Sequence, residues 1–247
     1  MATSHAADGR IDRGSEHAFW RDQTTISLQP VAAPSILGLY GFAASTFIVA
    51  ANLAGWYGNE SLTPLILSPF VLAFGGIAQF LAGMWAYRAR DGLATAMHGT
   101  WGAFWIGYGI YHLLIALNVL PGTTDPLAAG AFGFWFVALA AITWVGAIAA
   151  SVENMGLAAV LGTLAAGSTL LAIGLIGELS LVEIIGAYIL IISAVLAWYV
   201  ASAMMLESTF KRVVLPVGKR GVSQQPGASA QQPIQYDAGE PGVKVGQ

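Results

Sequence analysis

Two histidines, His98 and His112, lie in a stretch built otherwise of Ala, Gly, Thr, Leu and aromatic residues. Histidine either ligates a metal or moves a proton near neutral pH. A metal site needs two or three ligands converging on one ion, and no further histidine or carboxylate is placed to join this pair. The chain has no cysteine, which excludes thiolate metal sites and disulfides. It contains no HExxH helix, Ser/His/Asp arrangement or Gly-rich phosphate loop. Every lysine follows residue 210, so no apolar segment offers an amine for a Schiff base, and none carries an arginine ladder. The expectation is therefore no metal, no cofactor, no catalytic residue and no enzyme. Each histidine is either a hydrogen-bonded structural group or a proton relay. Asn52, Gln79 and Thr100 pose the same choice. A polar group left unpaired in apolar surroundings is costly, so each bonds a neighbouring helix or lines a path for a small solute.

The segments carrying these residues are membrane spans. Of the 247 residues 56% are hydrophobic and 9% charged, with mean hydropathy +0.68, against about 25% charged in soluble domains. No charge falls between Asp22 and Glu60, Glu60 and Arg88, Asp91 and Asp125, Asp125 and Glu153, Glu153 and Glu178, or Glu183 and Glu207. Each gap holds one span of about 20 apolar residues. This predicts helices over 33–56, 64–87, 94–118, 127–150, 155–177 and 182–206, with turn signals at Gly58-Asn59, Asp91-Gly92, Pro121-Gly122 and Asp125-Pro126. The predicted fold is an all-α, six-helix transmembrane bundle enclosing a narrow path.

All ten basic residues fall on one side: Arg10, Arg13 and Arg21, then Arg88 and Arg90, then Lys211, Arg212, Lys219, Arg220 and Lys244. Lys and Arg mark cytoplasmic loops, so both termini are expected in the cytoplasm of a multi-pass protein of the cell (inner) membrane. Residues 1–30 mix acids and bases without an apolar core, which is a solvated tail and not a signal peptide. The transmembrane domain is set at 31–206 and the C-terminal tail at 207–247, the part after 220 rich in Gln, Pro and Gly and read as disordered. The net charge of −3 gives no reason to expect nucleic acid; the lipid bilayer is the expected partner.

The segment APSILGLYGF, Ala33 to Phe42, places Pro34, Gly38 and Gly41 at the head of the first span. Proline suits a first helical turn. Gly38, Gly41, Ala43, Ala44 and Ser45 let helix backbones approach closely or leave room between helices.

Three stretches resemble the acetate uptake transporter family, of the succinate–acetate permease type. They are Ala33-Pro34-Ser35-Ile36-Leu37-Gly38-Leu39 with Gly41-Phe42 following, the run from Gly75 to Trp105 (GGIAQFLAGMWAYRARDGLATAMHGTWGAFW), and FKRVVLPVGK from Phe210 to Lys219. The resemblance implies uptake of acetate and related short monocarboxylates, often with a proton, by protomers assembled as a hexamer. It implies a constriction at Phe42, Trp101 and Leu164, with Trp101 in place of a family tyrosine, and a path past Pro34, Leu37, Gly38, Ser45, Thr46, Gln79 and Thr100. Ala33, Ile36 and Ala86 also depart from the family pattern. The bulkier Trp101 and the lost asparagine at Ala33 predict a narrower passage or a changed substrate preference, which disfavours dicarboxylates such as succinate.

Elementary electrostatics favours the same route. A bare carboxylate in an apolar gap faces tens of kcal/mol in the idealised limit, whereas protonating it at neutral pH costs about 4 kcal/mol. The break at Pro34 to Gly38 is expected to aim free helix-start N–H groups at an arriving anion. Two other readings stay open: a channel for another small solute such as ammonia, and a non-transporting membrane sensor or scaffold.

Overall fold

The computed structural model describes residues 31–59, 61–122 and 125–219; the expected tails at 1–30 and beyond 220 lie outside them. Within the described residues the secondary structure is helical. The elements are α1 (Ser35–Leu53), α2 (Thr63–Val71), a π-helical segment (Leu72–Ala78), α3 (Gln79–Arg88), α4 (Gly92–Ala116), α5 (Pro126–Ala150), α6 (Met155–Gly177) and α7 (Ser180–Phe210).

Side chains and turns start these helices as their sequences dictate. Asp91 Oδ1 accepts the Ala94 N–H at 2.8 Å to cap α4. Asp125 Oδ1 accepts from Leu127 at 2.9 Å, with Pro126 in the first turn of α5. Asn154 Oδ1 accepts from Leu157 at 2.7 Å to cap α6. These bonds satisfy amides that have no partner inside the helix. A tight turn at Glu178, in the left-handed region at φ 52°, reverses α6 into α7.

The second predicted span is one helical rod, Thr63–Arg88, but not a plain α-helix. Pro69 has no N–H to give the Leu65 carbonyl, and the Ser68 hydroxyl donates to that carbonyl instead, at 2.9 Å. Such replacement is required where no water is at hand. Three residues on, the π turn begins at Leu72, and the sequence pattern carries no sign of it.

Around the bundle, α5 packs on α6, α6 on α7 and α7 on α1; α1 then meets the π segment and α3, which pack on α4. The ring closes between α4 and α5 chiefly through aromatic rings: Phe104 stands 5.6 Å from Phe136 and 6.0 Å from Phe132, and Tyr111 stacks on Phe132 at 5.9 Å. The outward faces are apolar, with Phe134, Trp135, Val145, Ile148 and Leu181 exposed. Trp56, Tyr57 and Tyr188 are exposed towards one end and Trp85 and Tyr87 towards the other, a pattern of membrane-interface aromatics.

Five helical segments are long and apolar enough to cross a bilayer, which makes this a multi-pass membrane protein. The remaining predicted span, the third in the chain, is α4; it has 25 residues, ample length at 1.5 Å per residue, but is the least apolar. It carries His98, Thr100 and His112, and its buried face points into the centre of the ring.

Candidate functional site

The buried face of α4 is a stripe. Ala94, His98, Trp101, Trp105, Tyr108 and His112 recur at intervals of three and four residues, and all are buried. Two cavities lie along it. The first, of about 90 Å³, opens beside the end of α7 and is lined by Leu39, Phe42, Gln79, His98, Trp101 and Leu164, with Asp91, Glu153, Glu207 and Lys219 at its outer rim. The second, of about 440 Å³, reaches the opposite end and is lined by Thr46, Asn52, Trp101, Trp105, His112 and Leu164, with Glu178 and Glu183 at its rim. Trp101 and Leu164 belong to both.

At this junction Trp101 is 3% exposed, Phe42 2% and Leu164 2%. Phe42 meets the Trp101 indole edge to face at 6.1 Å, and Phe104 meets it at 5.3 Å on the other side. The indole Nε1 donates to Thr143 Oγ1 at 3.0 Å, and that hydroxyl donates onward to the Leu139 carbonyl at 2.6 Å. Trp101 thus has its polar atom turned into α5 and its ring packed on Phe42 and Phe104. Its rotamer is fixed from both ends.

The buried polar atoms tell the rest. Gln79 and His98 line the first cavity, and Gln79 Oε1 and His98 Nδ1 are buried with no hydrogen-bond partner among the described residues; the same holds for Thr46 Oγ1, Trp105 Nε1 and His112 Nε2, whose residues line the second. Buried polar groups are nearly always paired with protein or water. Five of the seven such atoms among the described residues belong to side chains that line a cavity, and the other two, Ser45 Oγ and Ser168 Oγ, belong to residues that line neither. His112 keeps one structural bond, between Nδ1 and the Tyr108 carbonyl at 2.8 Å, and Asn52 Nδ2 donates to the Tyr57 carbonyl at 2.8 Å.

The remaining path residues read from the sequence divide clearly. Thr46 and Gln79 line cavities; Pro34, Leu37, Gly38, Ser45 and Thr100 line neither. Leu37 is 51% exposed on the outside of the bundle. The expected helix break is absent: α1 runs from Ser35, and the Gly38 amide donates to the Pro34 carbonyl at 3.2 Å. Gly38 has a different reason. A Cβ there would lie 2.5 Å from His98 Cε1 and Nδ1, so the glycine makes room for the imidazole ring. Likewise the Ser45 side chain and the Trp105 ring fill the space beside Gly75, where a Cβ would lie 2.6 Å from Ser45 Oγ.

Asp91, Glu153, His98, Trp105 and His112 were not among the path residues read from the sequence. The signal was available as the run of spacings seven, three, four, three and four from Asp91 to His112, a polar and aromatic stripe on one helix face.

The segment after α7 closes the rim of the smaller cavity. The Met155 and Gly156 amides, the first of α6, donate to the Gly218 and Val217 carbonyls at 3.0 and 2.9 Å. Tyr199 donates to the Pro216 carbonyl at 2.8 Å, and Lys219 pairs with Glu207 at 2.7 Å. The Leu-Pro-Val-Gly-Lys tail is therefore a strap, and the α6 amides are taken by it.

Against known proteins, residues 19–219 match the sequence model of the GPR1/FUN34/yaaH family. The chain belongs to that family. A relative is the succinate-acetate/proton symporter SatP of Escherichia coli, 29% identical over 76% of this chain and 96% of its own. Another is the ammonia transport outward protein 3 of Saccharomyces cerevisiae, 29% identical over 68% of this chain and 60% of its own. In fold, the chain is similar to a solved structure described as the bacterial acetate channel SatP. The TM-score is 0.69 at 25% identity, covering 76% of this chain and 99% of that one.

Proposed function

We propose that this protein carries acetate and related short-chain monocarboxylates across the membrane as the neutral acid, or as anion and proton together. The supporting observation is the pair of cavities meeting at Trp101 and Leu164, each lined by polar residues that carry a buried atom without a partner among the described residues. The naming of bacterial relatives and of the solved structure for acetate agrees with it. Phe42, Trp101 and Leu164 form the constriction. A carboxyl group waiting on either side finds donors and acceptors: the Gln79 carbonyl and His98 in one cavity, Thr46, Trp105 and His112 in the other. The junction offers only apolar surface, because the Trp101 N–H is spent on Thr143. A charge in that gap faces the penalty of tens of kcal/mol, and protonation, at about 4 kcal/mol, removes it. A dicarboxylate needs two such protonations, which disfavours succinate.

The same reading puts six spans across an inner cell membrane, α4 being the third and lining both cavities, with both termini cytoplasmic because the basic residues lie on that side. Assembly as a homo-hexamer follows from the family resemblance, and the exposed apolar faces of α5 give neighbouring protomers or lipid a surface to cover. A second reading, ammonia passage, is favoured by the names of the yeast relatives, and ammonia is likewise a small molecule that crosses when uncharged. Reconstituted vesicles separate the two. Labelled acetate flux that responds to an imposed pH gradient supports acid transport. Ammonia-driven alkalinisation without acetate flux would overturn it.

A further inference from the structure

The smaller cavity carries a pair of carboxylates that the transport reading leaves unused. Asp91 caps α4 and Glu153 stands in the α5–α6 connection, and both line the outer half of that cavity. Two α-helical turns separate Asp91 from His98 and less than one separates His98 from Trp101, so the ring stands roughly 10 Å from the first and about 4.5 Å from the second along the axis. The order along the cavity is acid pair, imidazole, junction. His98 is buried, lines the cavity and has no partner for Nδ1; Gln79 beside it is in the same condition. Both residues line the space between the pair and Trp101, where water or the carboxyl group of the substrate can stand. About 90 Å³ holds a few waters or one small acid.

We propose that Asp91 and Glu153 form a proton-holding pair that takes the proton from a carboxylic acid which has crossed the Trp101 junction and returns it to an anion about to cross. The inference rests on the acid-transport reading above. In the first direction the O–H bond of the acid breaks and its electron pair stays on the departing carboxylate. A new O–H bond forms on Glu153, which later gives the proton to water at the rim. The opposite direction reverses each step.

Three features suit the pair to this. Burial holds both carboxyls above their ordinary range, and the negative charge of Asp91 raises Glu153 further; each is thus a better proton acceptor than a free carboxylate. The cation that lines the cavity, Lys219, is engaged by Glu207 at 2.7 Å, while Arg88 and Arg90 flank Asp91 in the chain and line neither cavity. His98 on α4, Glu207 on α7 and Lys219 on the strap complete the titratable groups at this cavity, and α1 contributes Ser35, Leu39 and Phe42. The Glu153 side chain has no hydrogen-bond or ion-pair partner among the described residues, and its backbone N–H donates to the Ala150 carbonyl at 3.0 Å. Once the acid has given up its proton, the charge remaining on the pair repels the new anion towards the rim.

The test uses full-length protein in vesicles oriented by accessibility of the C-terminal tail, with acetate loaded on the tail side. Glu153→Gln and Asp91→Asn remove charge while keeping shape, and asparagine still caps a helix. At about pH 7.5 only about two acetates in a thousand carry a proton, and the double variant is expected to lose roughly tenfold in flux; this stays below the ~100-fold of a positioned proton donor because bulk water substitutes. At about pH 5, where the acid is abundant, the loss is expected to be under about twofold. An infrared carboxylic-acid band that persists to higher pH than that of a free carboxyl group in wild type and disappears in Glu153→Gln is the second readout. Equal loss at every pH, or wild-type pH dependence in the double variant, overturns the proposal while wild-type acetate flux keeps the transport reading. Absence of acetate flux in wild type overturns that reading instead, and the infrared band alone then decides whether the pair holds a proton.

Discussion

Replacing Trp101 with alanine joins the two cavities, one of about 90 Å³ and the other of about 440 Å³, into one continuous space. The structural loss can be worked from the contacts. The Trp101–Thr143 hydrogen bond contributes about 1 kcal/mol, and the edge contacts with Phe42 and Phe104 about 0.5–1.5 kcal/mol each. Thr143 still donates to the Leu139 carbonyl, so no buried donor is orphaned on α5. The expected loss is about 3 kcal/mol, at the low end of tryptophan-to-alanine changes in buried sites, read as a lower unfolding temperature in detergent. The functional consequence is larger. A water column through the gap removes most of the desolvation penalty that the apolar junction imposes on charge. Vesicles bearing Trp101→Ala should leak potassium, and should pass hexanoate nearly as fast as acetate, with oligomer size unchanged on a sizing column. Should size selectivity and ion tightness survive in an intact oligomer, Trp101 is not the barrier and the path lies elsewhere. A changed rate in an intact oligomer also excludes a pure sensor or scaffold.

Other perturbations address the surroundings of the site. Gly38→Ala drives a Cβ to 2.5 Å from the His98 ring and should cost about 1–3 kcal/mol in thermal stability; adding His98→Ala should restore most of it, and no restoration would separate the two residues. Gly218 sits at φ +66°, so Gly218→Ala should cost about 1–2 kcal/mol and release the strap, seen as faster hydrogen exchange at the Met155 and Gly156 amides. The raised carboxyls of Asp91 and Glu153 mean that the fold holds their protons more tightly than the unfolded chain does. Their contribution is therefore favourable below the unfolded-chain pKa and lost as pH rises through the folded value. Glu153→Gln should accordingly raise the melting temperature at neutral pH and leave it nearly unchanged at pH 4, and equal shifts at both would contradict that sign.

The spans were legible because bilayer chemistry is written in composition: charge gaps, turn dipeptides and N-cap residues are local, and the structure begins α4, α5 and α6 at Asp91, Asp125 and Asn154. Phe42, Trp101 and Leu164 came by resemblance, and their contact depends on α1, α4 and α6 converging, which no local pattern specifies. The π turn at Leu72 was invisible because it arises where Gly41, Gly75 and Gly76 let three helices close up on the Phe74 carbonyl, Ser45 and Ile106. Gly38 was misread as a helix break for a related reason. The demand for a missing Cβ comes from His98, sixty residues away in the chain.

What the sequence alone determined is the medium and the elements, since hydropathy and capping act between neighbours along the chain. Which polar side chains remain without partners, and that Asp91, Glu153 and His98 share one cavity, was decided by tertiary packing. A hydrogen bond made or withheld across a bundle depends on helix rotation and approach, and those are properties of the assembled ring.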